Sequence, residues 1–493
     1  MKLEQQQSPL FTGKWAQALC WGVLFISLAL FAYKGDFIYA ALPFGFLFLL
    51  LTGVNWKTAF WVFIFSIPIS MDVAFFNDTL ATSVPDEPMM WIFLLLMAVL
   101  IARQPGLMSR DWLNNPLVLI IALQYVWMIV AVCYSHMPLV SLKFMAAKTW
   151  FLVSFFVLPQ FIFTEKKDFI KGFWFTFFPL VGTIVAVVIR HAAIGFNFRK
   201  IELAIGDIYF NHVDYSTVMS MFYPLLWVAL PLTKDKNPFL RLALVGLILA
   251  FIPALYVTYA RAAMLAVIFA IAVGVAIRLR LANVIMPVFF LSLTLLIGYM
   301  VKDKKFMDFR PDYERTFMRQ KFTDHVIATF KGQDMSSMER LYRWVAGARM
   351  SMDEPVKGYG PNTFYYYYKP YGVPSFETYV SRNFEKSTTH NYFLYMLVEQ
   401  GWPAMILYGI MVTAVIAQAQ RTYHRFKDRF YKWVTLGVVM MFSAGFINNF
   451  FSELIETHKV GFLFYISIGL LVVLTAKSKQ LEKEDAEKNA AIA

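Results

Sequence analysis

Long apolar blocks with few charges recur along almost the whole chain, among them Val118 to Val132 and Val245 to Tyr256. They limit what it can fold into. In a bilayer every backbone N–H and C=O must be satisfied without water, so a crossing segment is a helix of about 20 residues or a strand of a closed barrel. No alternating ten-residue pattern recurs, which argues against a barrel. Charged residues make up 16% and hydrophobic residues 59%, whereas roughly a quarter of a soluble domain is charged. The expected class is an all-α polytopic membrane protein. Candidate spans have cores at 16–32, 37–54, 58–76, 89–102, 116–134, 143–163, 170–189, 213–232, 240–259, 262–277, 283–301, 402–419, 433–452 and 460–476. The fourth is short and the sixth carries Lys143 and Lys148, so about 12–14 transmembrane helices are expected. The first apolar block, Ala16 to Phe31, lacks a small-residue cleavage site and is followed by further spans, so it reads as a span and not as a cleaved signal.

The net charge is +13. In a soluble protein that would point to nucleic acid; here much of it falls in short loops and reads as topology, with no nucleic-acid partner. One alternate set of loops holds Arg103 and Arg110; Lys166, Lys167 and Lys171; Lys234, Lys236 and Arg241; Arg278 and Arg280; and Arg421, Arg425, Lys427, Arg429 and Lys432. These should face the cytoplasm, together with both termini. The acidic loops around Asp78, Asp86 and Glu87, and around Glu453 and Glu456, should face outward. Cys20 and Cys133 lie in apolar blocks and suggest neither a disulfide nor a metal site. The expected organisation is a bundle of about eleven spans over 1–301, an outer loop domain over 302–388, a re-entry helix and the last three spans over 389–476, and a cytoplasmic tail over 477–493.

Two outward loops are basic. Residues 190–212 carry Arg190, His191, Arg199 and Lys200, and the 87 residues of 302–388 hold 15 Lys and Arg against 11 Asp and Glu. Long loops cross regardless of charge, so the topology stands, and fixed positive charge lies where an anion could bind. Ordinary solvated loop charge explains it equally well. Within the long loop, Leu341, Trp344, Val345 and Ala348 follow helical spacing over Met338 to Met350. Pro355, Gly358 and Gly360 then break the helix, and the aromatic run Phe364 to Tyr368 follows.

Several polar residues are candidates for chemistry. His390 stands where the long loop re-enters the membrane. Helical spacing would put it on one face with Leu394, Leu397 and Gly401, as a general base or as an interfacial histidine bonded to a neighbour. Arg261, in a tight outward turn between two spans, calls for an anionic partner or snorkels to the interface. Arg340 and Arg343, in ERLYRW, could fork onto phosphate oxygens or pair with Glu339 or Asp334. Asn211, His212 and Asp214, ahead of a span, could line a cleft or cap a helix. No grouping has metal-ligand spacing, and no cofactor is called for.

Together these residues resemble the O-antigen ligase and polymerase superfamily of bacterial envelope glycan assembly. The resemblance rests on Arg261 to Leu265; on Arg340, Trp344, Pro355, Gly358, Gly360 and Phe364; and on His390 to Gly401 with Asn391, Leu394, Leu397 and Glu399 between. It is densest over 208–420. It implies a GT-C-like, inverting, metal-independent glycosyltransferase of the bacterial inner membrane with its site facing the periplasm. The donor would be a polyprenyl diphosphate-linked glycan. Arg261 and Arg340 would hold the diphosphate, and His390 would take the acceptor proton. Arg190, Arg199, Asn211, His212, Asp214, Arg343, Asn391 and Glu399 would be supporting candidates. Tyr365 to Tyr368 could stack on sugars or form an interfacial belt. An O-antigen ligase acting on a lipid A core sugar is the favoured reading. An O-antigen or exopolysaccharide polymerase or a protein O-glycosyltransferase would share the scaffold. The rival from another class, a membrane transporter, would place its polar groups at the midplane between repeats, and no repeat is visible. Convergence of His390, Arg261 and Arg340 on one outer cavity would favour the enzyme, and their scatter would count against it.

The loop alternation predicts that, with Cys20 and Cys133 replaced by Ser, an impermeant maleimide on cells with a permeabilised outer membrane labels a cysteine at Lys331 and spares one at Lys427. Labelling of the second alone would invert the topology.

Overall fold

A computed structural model describes residues 14–35, 37–75, 80–233, 237–312, 327–328, 334–378, 381 and 388–492. Asp78, Lys234, Lys236 and Lys331 lie outside the described residues. Fourteen longer helices follow in chain order: α1 (Lys14–Lys34), α2 (Phe37–Ser66), α3 (Asp86–Arg103), α4 (Pro116–Cys133), α5 (Pro138–Phe151), α6 (Lys166–Ala193), α7 (His212–Leu232), α8 (Pro238–Tyr256), α9 (Arg261–Arg278), α10 (Ala282–Val301), α11 (Met335–Asp353), α12 (Tyr392–Arg425), α13 (Arg429–Phe450) and α14 (His458–Ile492). Among the described residues, eleven helices are long and apolar enough to cross a membrane, against the 12–14 expected. From Pro116 onward every expected span is helical.

The differences lie upstream. The expected spans 37–54 and 58–76 form one rod, α2, interrupted at Asn55, whose backbone leaves the helical region (φ −149, ψ 79) and whose side chain accepts the Thr58 N–H. The second span does not reach residue 76. Met71–Phe75 and Leu80–Val84 pair as an antiparallel ribbon, with Met71 opposite Val84, because Met71, Asp72 and Val73 begin a period-two pattern that suits a strand. α3 carries Asp86, Glu87 and Arg103 and is not among the eleven.

The chain divides into two compact units, one of residues 1–107 with 167–186, the other of 108–166 with 187–493. The first is built around Phe60, Phe63 and Phe93, whose rings meet edge-on at 5.3–6.2 Å. In the second, α13 is the central helix, packed on α7, α9, α12 and α14. Lipid tails are as apolar as leucine, so such helices associate through close packing and polar bridges. Asn448 of α13 supplies one bridge, donating to Ser220 Oγ of α7 at 2.9 Å.

The loop domain docks through a break in α12. Gly401 leaves the helix (φ 76, ψ 178) and Pro403 has no N–H to offer. The buried carbonyls freed there must find other donors. Tyr359 N–H donates to Val398 O at 3.0 Å, Gly360 N–H to Glu399 O at 2.9 Å, and Trp127 Nε1 to Gln400 O at 2.7 Å. The return bond runs from Trp402 N–H to Pro355 O at 2.9 Å. The Glu399 carboxylate accepts the N–H groups of Asn362 and Phe364. Such close approach needs glycine: a Cβ on Gly358 (φ 67) would lie 2.4 Å from the Glu399 carbonyl carbon, and one on Gly401 1.9 Å from Val356 O. Above the seam, α11 and the following turns enclose a core of Tyr342, Ala346, Met350, Tyr359, Phe364, Tyr368 and Phe376.

Gly401→Ala should therefore undock the loop. Left-handed backbone alone costs an L-residue about 1–2 kcal/mol, and the collision adds to it. A lower thermal midpoint and faster proteolysis within 355–376 are expected; wild-type behaviour in both would mean that the seam is loose.

Candidate functional site

Two helices of the second unit are linked at their starts through one carboxylate. Asp334, fully buried, caps α11 by accepting from Ser337 N (3.1 Å) and Ser337 Oγ (2.8 Å). The same Oδ2 accepts from Arg261 Nη2, on the first residue of α9, at 2.8 Å. The anionic-partner reading of Arg261 holds, and Asp334 is that partner. One carboxylate thus answers the positive dipole end of α11 and the Arg261 guanidinium.

Arg340 and Arg343 have different surroundings. Arg343 turns into the loop core, with Nη1 3.0 Å from Glu339 Oε2. Glu339 Oε1 in turn accepts from Thr378 Oγ1 and Ser381 Oγ. Arg340 donates from Nε to Phe451 O (3.2 Å) and from Nη1 to Ser336 Oγ (2.7 Å). Among the described residues it pairs with no carboxylate. Burial, Arg261 and Arg343 pull its pKa down to about 10, against the opposing pull of Asp334 and Glu453.

His390 is not on the α12 face that helical spacing suggested. Asn391 is the N-cap, its Oδ1 accepting Leu394 N–H at 3.0 Å, so the helix starts at Tyr392 and His390 precedes it with φ +51. A non-glycine residue at positive φ is strained and must be held from outside. Here Glu453 Oε2 accepts from Thr389 Oγ1 (2.9 Å) and Asn391 N (3.2 Å), while Asn391 Nδ2 donates to Phe450 O (3.0 Å). The His390 ring is half-buried, and its nitrogens have no hydrogen-bond partner among the described residues. Burial, then Arg340 and Arg343, hold its pKa well below the usual 6.5. It is a neutral imidazole at pH 7, open to a substrate proton.

Arg340 and the segment that carries His390 are tied to the same connection, at Phe451 and at Glu453, and Arg261 is tied to Asp334 at the start of the Arg340 helix. The other candidates have local roles. Asn211 caps α7 through Val213 N and Asp214 N, both at 2.9 Å. His212 pairs with Glu202. Asp214 accepts from Thr457 Oγ1 at 2.8 Å. Arg190, exposed, lies beside Gly206, and Arg199, also exposed, is in a short turn capped by Asn197. Glu399 anchors the glycine turn. Phe364 and Tyr368 stack in the loop core at 5.0 Å, leaving Tyr366 as the exposed member of the run. Among the described residues no group of three His, Cys, Asp or Glu could hold a metal ion.

Glu453 is the residue that sequence reasoning overlooked. Its signal, an acidic pair in a short loop, read as topology. Burial pushes its pKa up to about 8 against the pull of Thr389, Asn391 and Arg343, so it is mostly protonated at pH 7.

Residues 245–409 match a family model described as O-antigen ligase. The match contains Arg261, Arg340, Arg343, His390, Glu399 and Gly401, and supports the resemblance to the O-antigen ligase and polymerase superfamily. No curated protein matches the chain.

The charges predict a pH response. A base with a depressed pKa is already unprotonated at neutral pH, so the acid limb assigned to His390 should lie well below 6.5. Glu453 loses its proton as pH rises through about 8, which places a negative charge in a cationic site. Binding of a diphosphate should weaken above that pH, and Glu453→Gln should remove the alkaline limb. An alkaline limb that survives in the variant would free Glu453 of the role.

Proposed function

We propose that this chain is a glycosyltransferase that moves a glycan from a polyprenyl diphosphate carrier to an acceptor hydroxyl at the periplasmic face of the bacterial inner membrane, with an O-antigen ligase as the favoured case. The observation that carries the reading is Arg340, a half-buried guanidinium with no carboxylate partner among the described residues, tied to the same connection as the segment that carries His390. Arg261, held by Asp334 at the start of the helix that carries Arg340, adds a second guanidinium.

The chemistry follows from those groups. The acceptor oxygen attacks the anomeric carbon from the face opposite the diphosphate. The new C–O bond forms as the carbon–oxygen bond to phosphate breaks, and the bonding pair leaves on the diphosphate. Arg340 and Arg261 stabilise the charge that develops there. The acceptor proton passes to a ring nitrogen of His390, which is neutral and unencumbered. Attack from the opposite face inverts the anomeric centre. Ligase, polymerase and protein glycosylation differ in the acceptor, which this cluster of residues does not select.

The test is transfer from a polyprenyl diphosphate glycan in nanodiscs to a lipid A core, to a second lipid-linked glycan and to a Ser/Thr peptide. Transfer to the core alone marks a ligase. His390→Ala should lose about 10²–10⁴-fold in rate, the usual contribution of a positioned base, with donor binding retained. Arg340→Ala and Arg261→Ala should each lose donor binding or turnover by roughly 1.5–3 kcal/mol, the worth of a charged hydrogen bond, and Lys should restore part of it. Chelators should leave the rate unchanged. Full transfer by His390→Ala would make the histidine structural.

A further inference from the structure

A charged cluster within the membrane-spanning part of the second unit is not used by this chemistry. Lys148 of α5 is buried, and its ammonium lies 2.7 Å from both oxygens of the Glu456 carboxylate and 3.0 Å from Tyr465 OH of α14. Tyr392 OH donates to Glu456 Oε1 at 2.7 Å. A lysine inside a helix bundle is costly and is kept for a reason. The adjoining cavity, lined also by Gln124, Tyr125, Gln400 and Tyr408, holds about 50 Å³. That is room for a few waters and too little for a sugar, so Lys148 is not placed to grip a glycan.

The position of its partners is more informative. Tyr392 is the first residue of α12, two residues from His390. Glu456 closes the connection 451–457, which supplies both other restraints on the site: the Phe451 carbonyl on Arg340 and the Glu453 carboxylate under Thr389 and Asn391. Asn449, at the end of α13, ties the connection to that helix by accepting Ile455 N–H at 2.9 Å. Lys148 therefore fixes, through one carboxylate, the strand of chain that holds Arg340 and the helix start that carries His390.

We propose that Lys148, Glu456 and Tyr392 form a positioning clamp that sets His390 against Arg340. This rests on the glycosyl-transfer reading above. The clamp touches neither donor nor acceptor, so its loss should act on kcat and leave donor affinity alone. In the full-length chain in nanodiscs, Lys148→Met, Glu456→Gln and the milder Tyr392→Phe should each lower kcat about 10- to 100-fold, the scale of an ångström of misplacement, with donor Kd and KM little changed. Lys148→Arg should recover part of the rate. Removing one member of a buried pair strands a charge, whereas removing both often does not destabilise. The double variant Lys148→Met/Glu456→Gln should therefore regain thermal stability and remain slow. Diethylpyrocarbonate modification at His390, followed by mass spectrometry, reads the clamp without turnover and should be several-fold faster in each variant. Unchanged kcat in Tyr392→Phe and Lys148→Met, or recovery of kcat together with stability in the double variant, overturns the proposal. If the wild type transfers no glycan to any acceptor, the functional reading fails. The His390 modification rate then decides alone, and a rate equal to that of the wild type dismisses the clamp.

Discussion

Asp334 is the carboxylate on which the electrostatics of the site depend. It is fully buried, caps α11 and pairs with Arg261. A buried anion in that position is stable because it answers a guanidinium and the start of α11 at once. It is thereby committed, six residues from Arg340 on the same segment. Glu339 is committed to Arg343, and Glu453 is mostly protonated at neutral pH. Among the described residues Arg340 is left with no carboxylate partner, and a half-buried cation so placed favours an anionic group beside it.

The same residues explain the spacing from His390 to Gly401. Asn391 fixes the start of α12, and Gly401 fixes the break at which the glycine turn docks. The helical segment between them, Tyr392 to Gln400, rises about 1.5 Å per residue, or roughly 14 Å. Its length is the distance between the polar site and the seam that holds the loop domain. An insertion there would rotate His390 about the helix axis by about 100° per residue while the seam stayed in place. A fixed interval is what such a ruler requires, and neither end is interpretable without the other.

Legibility in the sequence followed from the range of the interactions involved. Spans from Pro116 onward depend on local apolarity, and α11 on helical spacing within one segment, so both were readable. The end of α2 was not, because a short alternating stretch is overridden by apolarity counted over a longer window. His390 was expected on a helix face, since spacing cannot reveal that Asn391 caps the helix one residue later. The pairing of Arg343 with Glu339, four residues away on one helix face, was among the alternatives the sequence offered. That Glu399 holds a turn and that Glu453 restrains the segment around His390 was not legible, because their partners lie 35 and 64 residues away.

The placement of polar groups also bears on the choice between enzyme and transporter. A transporter needs its polar groups accessible from both sides in turn, near the midplane and between elements that move against each other. Here the cationic cluster lies at the ends of helices, and the segments around it are cross-tied: Arg261 to Asp334, Arg340 to Phe451, Thr389 and Asn391 to Glu453, Tyr392 and Lys148 to Glu456. Lys148, one of the buried charges within the helices, is paired with the Glu456 carboxylate. Alternating access would have to break several of these bonds in each cycle. A site fixed by five chain segments against a single anchored loop is suited to holding reacting groups in register, where preorganised charge and a positioned base account for most of the rate.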